Sequence, residues 1–146
     1  MTDMTLDTTA TDETGAGATD ARVPQHGLVW AEIPVSDLEA GIVFYTAVTG
    51  GALDRFDMGP DKTAMIRTDP PMEGASAHLY VGKPAGDGTG PTVHLSVEGT
   101  AEEASARAEA AGGRVLGPVI EIPYGRFVYI TDPDGNSVGL FEPKAS

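Results

Sequence analysis

Residues 29–35 read Val-Trp-Ala-Glu-Ile-Pro-Val, and residues 91–97 read Pro-Thr-Val-His-Leu-Ser-Val. Both alternate apolar and polar positions with a period of two, the pattern of a strand with one buried face. Each runs into a helix start, Ser36-Asp37-Leu38-Glu39 after the first and Thr100-Ala101-Glu102-Glu103 after the second. Both tetrads fit the capping box, in which a hydroxyl and a carboxylate reciprocally satisfy free amides. Each helix closes on a glycine pair, Gly50-Gly51 or Gly112-Gly113, suited to the left-handed C-terminal cap. Strands and glycine pairs recur at one offset of 62 residues, 29 to 91 and 50 to 112. Agreement between independent local signals identifies an internal repeat.

After each helix, alternation predicts three further strands. They fall near 52–58, 62–67 and 75–81 in the first half, and near 114–121, 126–131 and 136–142 in the second. Asp132-Pro133-Asp134-Gly135-Asn136 has the residue types of a tight turn between the last two. The Gly-rich residues 84–90 read as a linker. The fold class is therefore α+β, with two βαβββ modules at about 27–83 and 91–143 inside a domain spanning 26–144.

Composition changes the picture at the N-terminus. Residues 1–25 are dominated by Thr, Asp, Ala and Gly and offer too little apolar area to offset ordering entropy, so a disordered tail is expected there. The formal charge is −13; the tail holds five acidic residues against one arginine, which leaves about −9 for the domain. An acidic balance argues against nucleic-acid binding. With no cysteine there is no disulfide, thiolate nucleophile or Cys-ligated metal. No apolar run approaches the roughly 20 residues of a membrane span, and the first residues lack the pattern of a signal peptide. A cytoplasmic protein is expected.

The two βαβββ modules, the Pro-Val-Ser-Asp-Leu…Phe-Tyr segment (34–38, 44–45) and the Asp-Pro-Asp-Gly-Asn…Leu-Phe-Glu ending (132–136, 140–142) resemble the vicinal oxygen chelate superfamily. Glyoxalase I, extradiol dioxygenases and the fosfomycin and bleomycin resistance proteins belong to it. The resemblance implies a glyoxalase-like half-barrel with helices outside, a ligand cleft inside and a homodimer. One fold hosts many functions, so the activity does not follow from it.

Alternation says which side chains face that cleft. The inward set is Trp30, Glu32, His78, Tyr80, Thr92, His94, Gly139 and Phe141. The resemblance places the four metal-ligand positions of metal-dependent relatives at Trp30, His78, Thr92 and Gly139, where only His78 can bind a metal. The usual site is thus expected to be lost and no cofactor is favoured. One displaced set survives: Glu32 and His94 lie two residues beyond lost positions and, with His78, would suit Fe(II), Mn(II) or Zn(II). Otherwise Glu32 and His94 bond each other or a ligand directly. Trp30, Tyr80, Tyr129 and Phe141 are candidate ligand walls, and Tyr124 or Arg126 could reach a ligand from the 122–126 loop, unless Arg126 pairs with a surface carboxylate, the commoner outcome. His26 sits at the end of the tail.

Two functions fit. One is a small-molecule-binding protein with an aromatic cleft and a cationic or aromatic ligand, which negative charge would favour. The other is an enzyme, a lyase, isomerase, epimerase or dioxygenase, either metal-dependent through Glu32, His78 and His94 or metal-free with Glu32 as base and His94 as acid.

Overall fold

The computed structural model describes residues 21–24, 28, 30–58, 61–70 and 74–144. The expected tail falls outside these residues apart from 21–24, as does His26. Strands β1 (Trp30–Val35), β2 (Leu53–Met58), β3 (Asp61–Ile66) and β4 (Ser76–Val81) surround helix α1 (Leu38–Thr49) in sequence. The second module holds β5 (Val93–Ser96), α2 (Ala101–Ala110), β6 (Arg114–Val115), β7 (Ile120–Ile122), β8 (Gly125–Thr131) and β9 (Ser137–Pro143). The first sheet has the order β1-β4-β3-β2 and the second β5-β9-β8-β6, with β7 also on β8. In each, the first strand runs parallel to the last, Glu32 beside His78 and His94 beside Gly139.

Helix α1 buries Gly41, Phe44, Tyr45 and Val48, the i, i+3, i+4, i+7 stripe of an amphipathic helix. Gly41 lets it approach the sheet closely: a Cβ there would stand 3.2 Å from both Leu79 and Val35. Helix α2 presents the small stripe Ala101, Ala104 and Ala108. One apolar core joins the modules, with Val35, Leu79 and Val48 from the first and Leu95, Ile130 and Leu140 from the second.

Two local expectations are corrected. The capping box of α2 is present, Thr100 with Glu103, but α1 has none: its N-cap is Asp37, accepting from the Ala40 amide at 3.0 Å. Ser36 is drawn away, donating through its hydroxyl and amide to Asp134 in the 132–136 turn, and Glu39 is bound by Arg55. The expected strand 114–121 is broken, because four residues, 116–119, oppose only Val128 and Tyr129 on β8. Gly117-Pro118 explains the break, since proline has no amide to donate to a ladder.

Asp132 ties the modules together from a buried position. It accepts from the Tyr45 hydroxyl at 2.7 Å, the Asn136 side chain at 2.8 Å, and the amides of Asp134 and Asn136. Asn136 also donates to the Pro34 carbonyl, so the turn is stitched to β1. Burial, reinforced by the Asp132 carboxylate, pushes the Tyr45 hydroxyl well above its ordinary pKa.

Candidate functional site

Both helices cover the same side of their sheets and pack on each other, leaving the opposite faces open. Alternation then decides what that open face carries. From the first sheet come Trp30 and Glu32 (β1), Phe56 (β2), and His78 and Tyr80 (β4); from the second come His94 (β5), Phe127 and Tyr129 (β8), and Gly139 and Phe141 (β9).

His78 is the centre of the first cluster. It is 2% exposed, with the rings of Phe56, Tyr80 and Trp30 at 5.9, 6.4 and 6.5 Å. Its Nε2 lies 3.5 Å from the Glu32 carboxylate, while its Nδ1 is buried without a hydrogen-bond partner among the described residues. Trp30 is 50% exposed and the Glu32 side chain 54% exposed, so both stand open to solvent beside a buried imidazole. Gly82 clears space for Tyr80, because a Cβ there would lie 2.5 Å from its ring.

His94 is the centre of the second cluster. Phe127 and Tyr129 meet it edge-on at 5.0 and 5.6 Å, and Phe141 stacks on Phe127 at 6.4 Å. Its ring lies over Gly139, and a Cβ on that glycine would collide with it. Partial burial among these rings lowers the His94 pKa from its ordinary value.

The structure sorts the sequence candidates. Trp30, Glu32, His78 and Tyr80 come together, and His94, Tyr129 and Phe141 form a separate group. Glu32 stands against His78, and it lines a different cleft from His94. Thr92 is hydrogen-bonded to Ser137. Of the two alternatives for Arg126 the ion pair is found: its even position on β8 turns it to the helix side, where Glu102, Glu121 and Glu142 bind it. Tyr124 stands at the exposed tip of the β7–β8 hairpin. Phe56 and Phe127 were not singled out by sequence. Phe127 shares the alternation of Tyr129, whereas Phe56 lies between Arg55 and Asp57 with no such signal.

Metal-dependent relatives raise the question of whether these residues fit a divalent ion. They do not fit at the four matched positions. Trp30 has no donor, Thr92 is engaged by Ser137, and the space above Gly139 is filled by the His94 ring. Among the described residues no three His, Asp or Glu side chains group to hold an ion, so Glu32, His78 and His94 do not assemble as a displaced set.

Comparison with known proteins gives the wider setting. The chain is 25% identical over 127 residues to the CFP32 proteins of Mycobacterium bovis and Mycobacterium tuberculosis, covering 80% of this chain. It spans about half the length of these curated relatives, 44%. A glyoxalase/bleomycin resistance protein from Albidiferax ferrireducens superposes with a TM-score of 0.61 at 21% identity, covering 80% of this chain and 98% of that one. A glyoxalase I mutant from Zea mays superposes with a TM-score of 0.60 at 20% identity, covering 77% and 45%. These structures share the fold. The sequence profile of the Glyoxalase/Bleomycin resistance protein/Dioxygenase superfamily matches residues 27–140, and the chain belongs to that superfamily.

Proposed function

We propose that the chain binds a small planar molecule on the open face of its first module, with a cationic group directed at Glu32. The supporting observation is the placement of Trp30 and Glu32 two residues apart on β1, both half exposed, beside His78 in its ring of aromatics. Trp30 and Tyr80 offer flat walls, and the Glu32 carboxylate supplies the counter-charge; a cation between carboxylate and rings gains from both. Glu32 also borders a cleft of about 270 Å³ with Lys83, Thr89 and Asn136; Trp30, His78 and Tyr80 do not line it, so the aromatic patch lies beside that cleft. The negative balance of the domain favours the same sign of ligand.

His78 acts here as a backing group. Its Nε2 stands 3.5 Å behind the Glu32 carboxylate, and its burial keeps water from that side. No step through a metal ion is required by this reading.

Calorimetric titration with benzyltrimethylammonium tests it. Saturable binding that weakens about tenfold or more in Glu32→Gln, as expected for a lost charged contact, supports the site. Equal affinity of Glu32→Gln and the parent protein removes it.

A further inference from the structure

The internal repeat gives the seam between the modules two ends, and each end is a cleft. One is lined by Glu32-Ile33-Pro34 with Asn136 and Ser137; the other, of about 260 Å³, by His94-Leu95-Ser96 with Ala75 and Ser76. Under the repeat offset, 32–34 and 94–96 are the same three positions. The clefts are therefore pseudo-equivalent, but their chemistry has diverged. A carboxylate lines one, and an imidazole occupies the same position in the other.

The polar groups of the second cleft are unequally engaged. Ser76 donates to the Ile66 carbonyl at 2.6 Å, Thr49 to the Tyr45 carbonyl at 2.7 Å, and Thr68 to the Pro70 carbonyl at 3.1 Å. The side chains of His94 and Ser96, two residues apart on one face of β5 and both exposed, make no hydrogen bond among the described residues. Arg67 lines the same cleft and is held by Asp54 through Nε and Nη2. Leu28, Ile66 and Leu95 complete an apolar wall.

We propose that the His94 cleft is a second ligand site, for a small carboxylic acid with a compact apolar body. The carboxylate bonds His94 and Ser96 with Arg67 at the rim, and the body lies on Leu28, Ile66 and Leu95. An imidazole and a hydroxyl left over beside an apolar wall suit that headgroup, because a carboxylate offers acceptors to both donors. The charged or titratable groups facing the imidazole are Tyr129 on β8 and Arg67 with its partner Asp54; β9 offers only Gly139 and Phe141.

Titration of the whole protein with benzoate, followed by the imidazole NMR signals, tests this site apart from the first one. Expected are a saturable shift of His94, an unmoved His78, and binding by neutral benzamide about tenfold weaker. His94→Gln and Ser96→Ala, each with unchanged circular dichroism, should weaken benzoate by about tenfold while leaving benzyltrimethylammonium binding intact. Failure of His94 to shift to saturation, an equal shift of His78, or full benzoate affinity in His94→Gln overturns the proposal. The Glu32 reading fails independently, through its own cationic probe.

Discussion

Replacing Tyr45 by Phe removes one hydroxyl from the buried junction between the modules and leaves the ring in place. The hydroxyl donates to the Asp132 carboxylate at 2.7 Å, and Tyr45 is 1% exposed, so water cannot take its place without rearrangement. Hydrogen bonds to charged groups contribute about 1.5–3 kcal/mol. Asp132 keeps three donors, the Asn136 side chain and the amides of Asp134 and Asn136, so it is not orphaned. The lower part of that range is therefore expected, about 1.5–2 kcal/mol. For a domain of this size that corresponds to a fall in Tm of roughly 5–10 °C.

The pH dependence supplies a second signature. Burial and Asp132 raise the Tyr45 pKa in the folded state. Its contribution is then complete below the unfolded value of about 10 and is lost as pH rises toward and through the folded value. Urea titrations of both proteins at pH 7 and pH 11 measure it. The gap between them should be full at neutral pH and smaller at pH 11. A gap below about 0.5 kcal/mol at pH 7, or one that widens with pH, would refute the reasoning, since neither follows from a buried charge-assisted bond.

Other expectations follow from the same contacts. Gly139→Ala places a Cβ against the His94 ring, so the protein should remain folded at a cost of about 1–3 kcal/mol, and His94 should lose the ring-current shifts from Phe127 and Tyr129 in its NMR signals. Thr100→Ala removes the hydroxyl that accepts from the Glu103 amide, one half of the capping box of α2, leaves the backbone amide that donates to the Glu103 carboxylate, and should cost about 1 kcal/mol in a thermal or urea melt. Hydrogen bonds from Arg55, Arg67 and Arg126 lower the pKa values of Glu39, Asp54 and Glu102. Their contribution is present above the ordinary carboxyl values near about 4 and lost as pH falls through the lower folded values, and added salt should diminish it because the pairs are exposed.

Much of the fold was legible because local patterns repeated. The alternation of 29–35 and 91–97, the two helix starts and the glycine pairs all recur at one offset, and the structure places two βαβββ modules accordingly. Alternation also separated the helix-facing Ile33, Val35, Val93 and Leu95 from the open-face residues. What sequence did not show was long-range. Ser36 fits a capping position locally, yet Asp134 competes for it from 98 residues away. Asp132 and Asn136 read as turn formers, but they also clamp Tyr45 and Pro34 of the other module.

The site divides along the same line. Face assignments follow from a period of two, so Trp30, Glu32, His78 and His94 could be placed on the open side. Partner choice depends on which strands become neighbours. The parallel pairing of β1 with β4 puts Glu32 beside His78, and that of β5 with β9 puts His94 over Gly139. Arg126 follows the same logic in reverse: an even position on β8 sends it to Glu102 on α2, away from the open face. Neither strand order nor its consequence for a carboxylate and two imidazoles was available from spacing alone.

Trp30 is the only tryptophan and stands half exposed beside Glu32, so its fluorescence reports the open face of the first module directly. The decisive measurement is a fluorescence titration of the whole protein with benzyltrimethylammonium, carried out with and without EDTA. Binding by aromatic walls and a carboxylate predicts a saturable change in Trp30 emission with the same affinity in both conditions. An emission that does not respond, or a response abolished by EDTA and restored by Mn(II), Fe(II) or Zn(II), would contradict it.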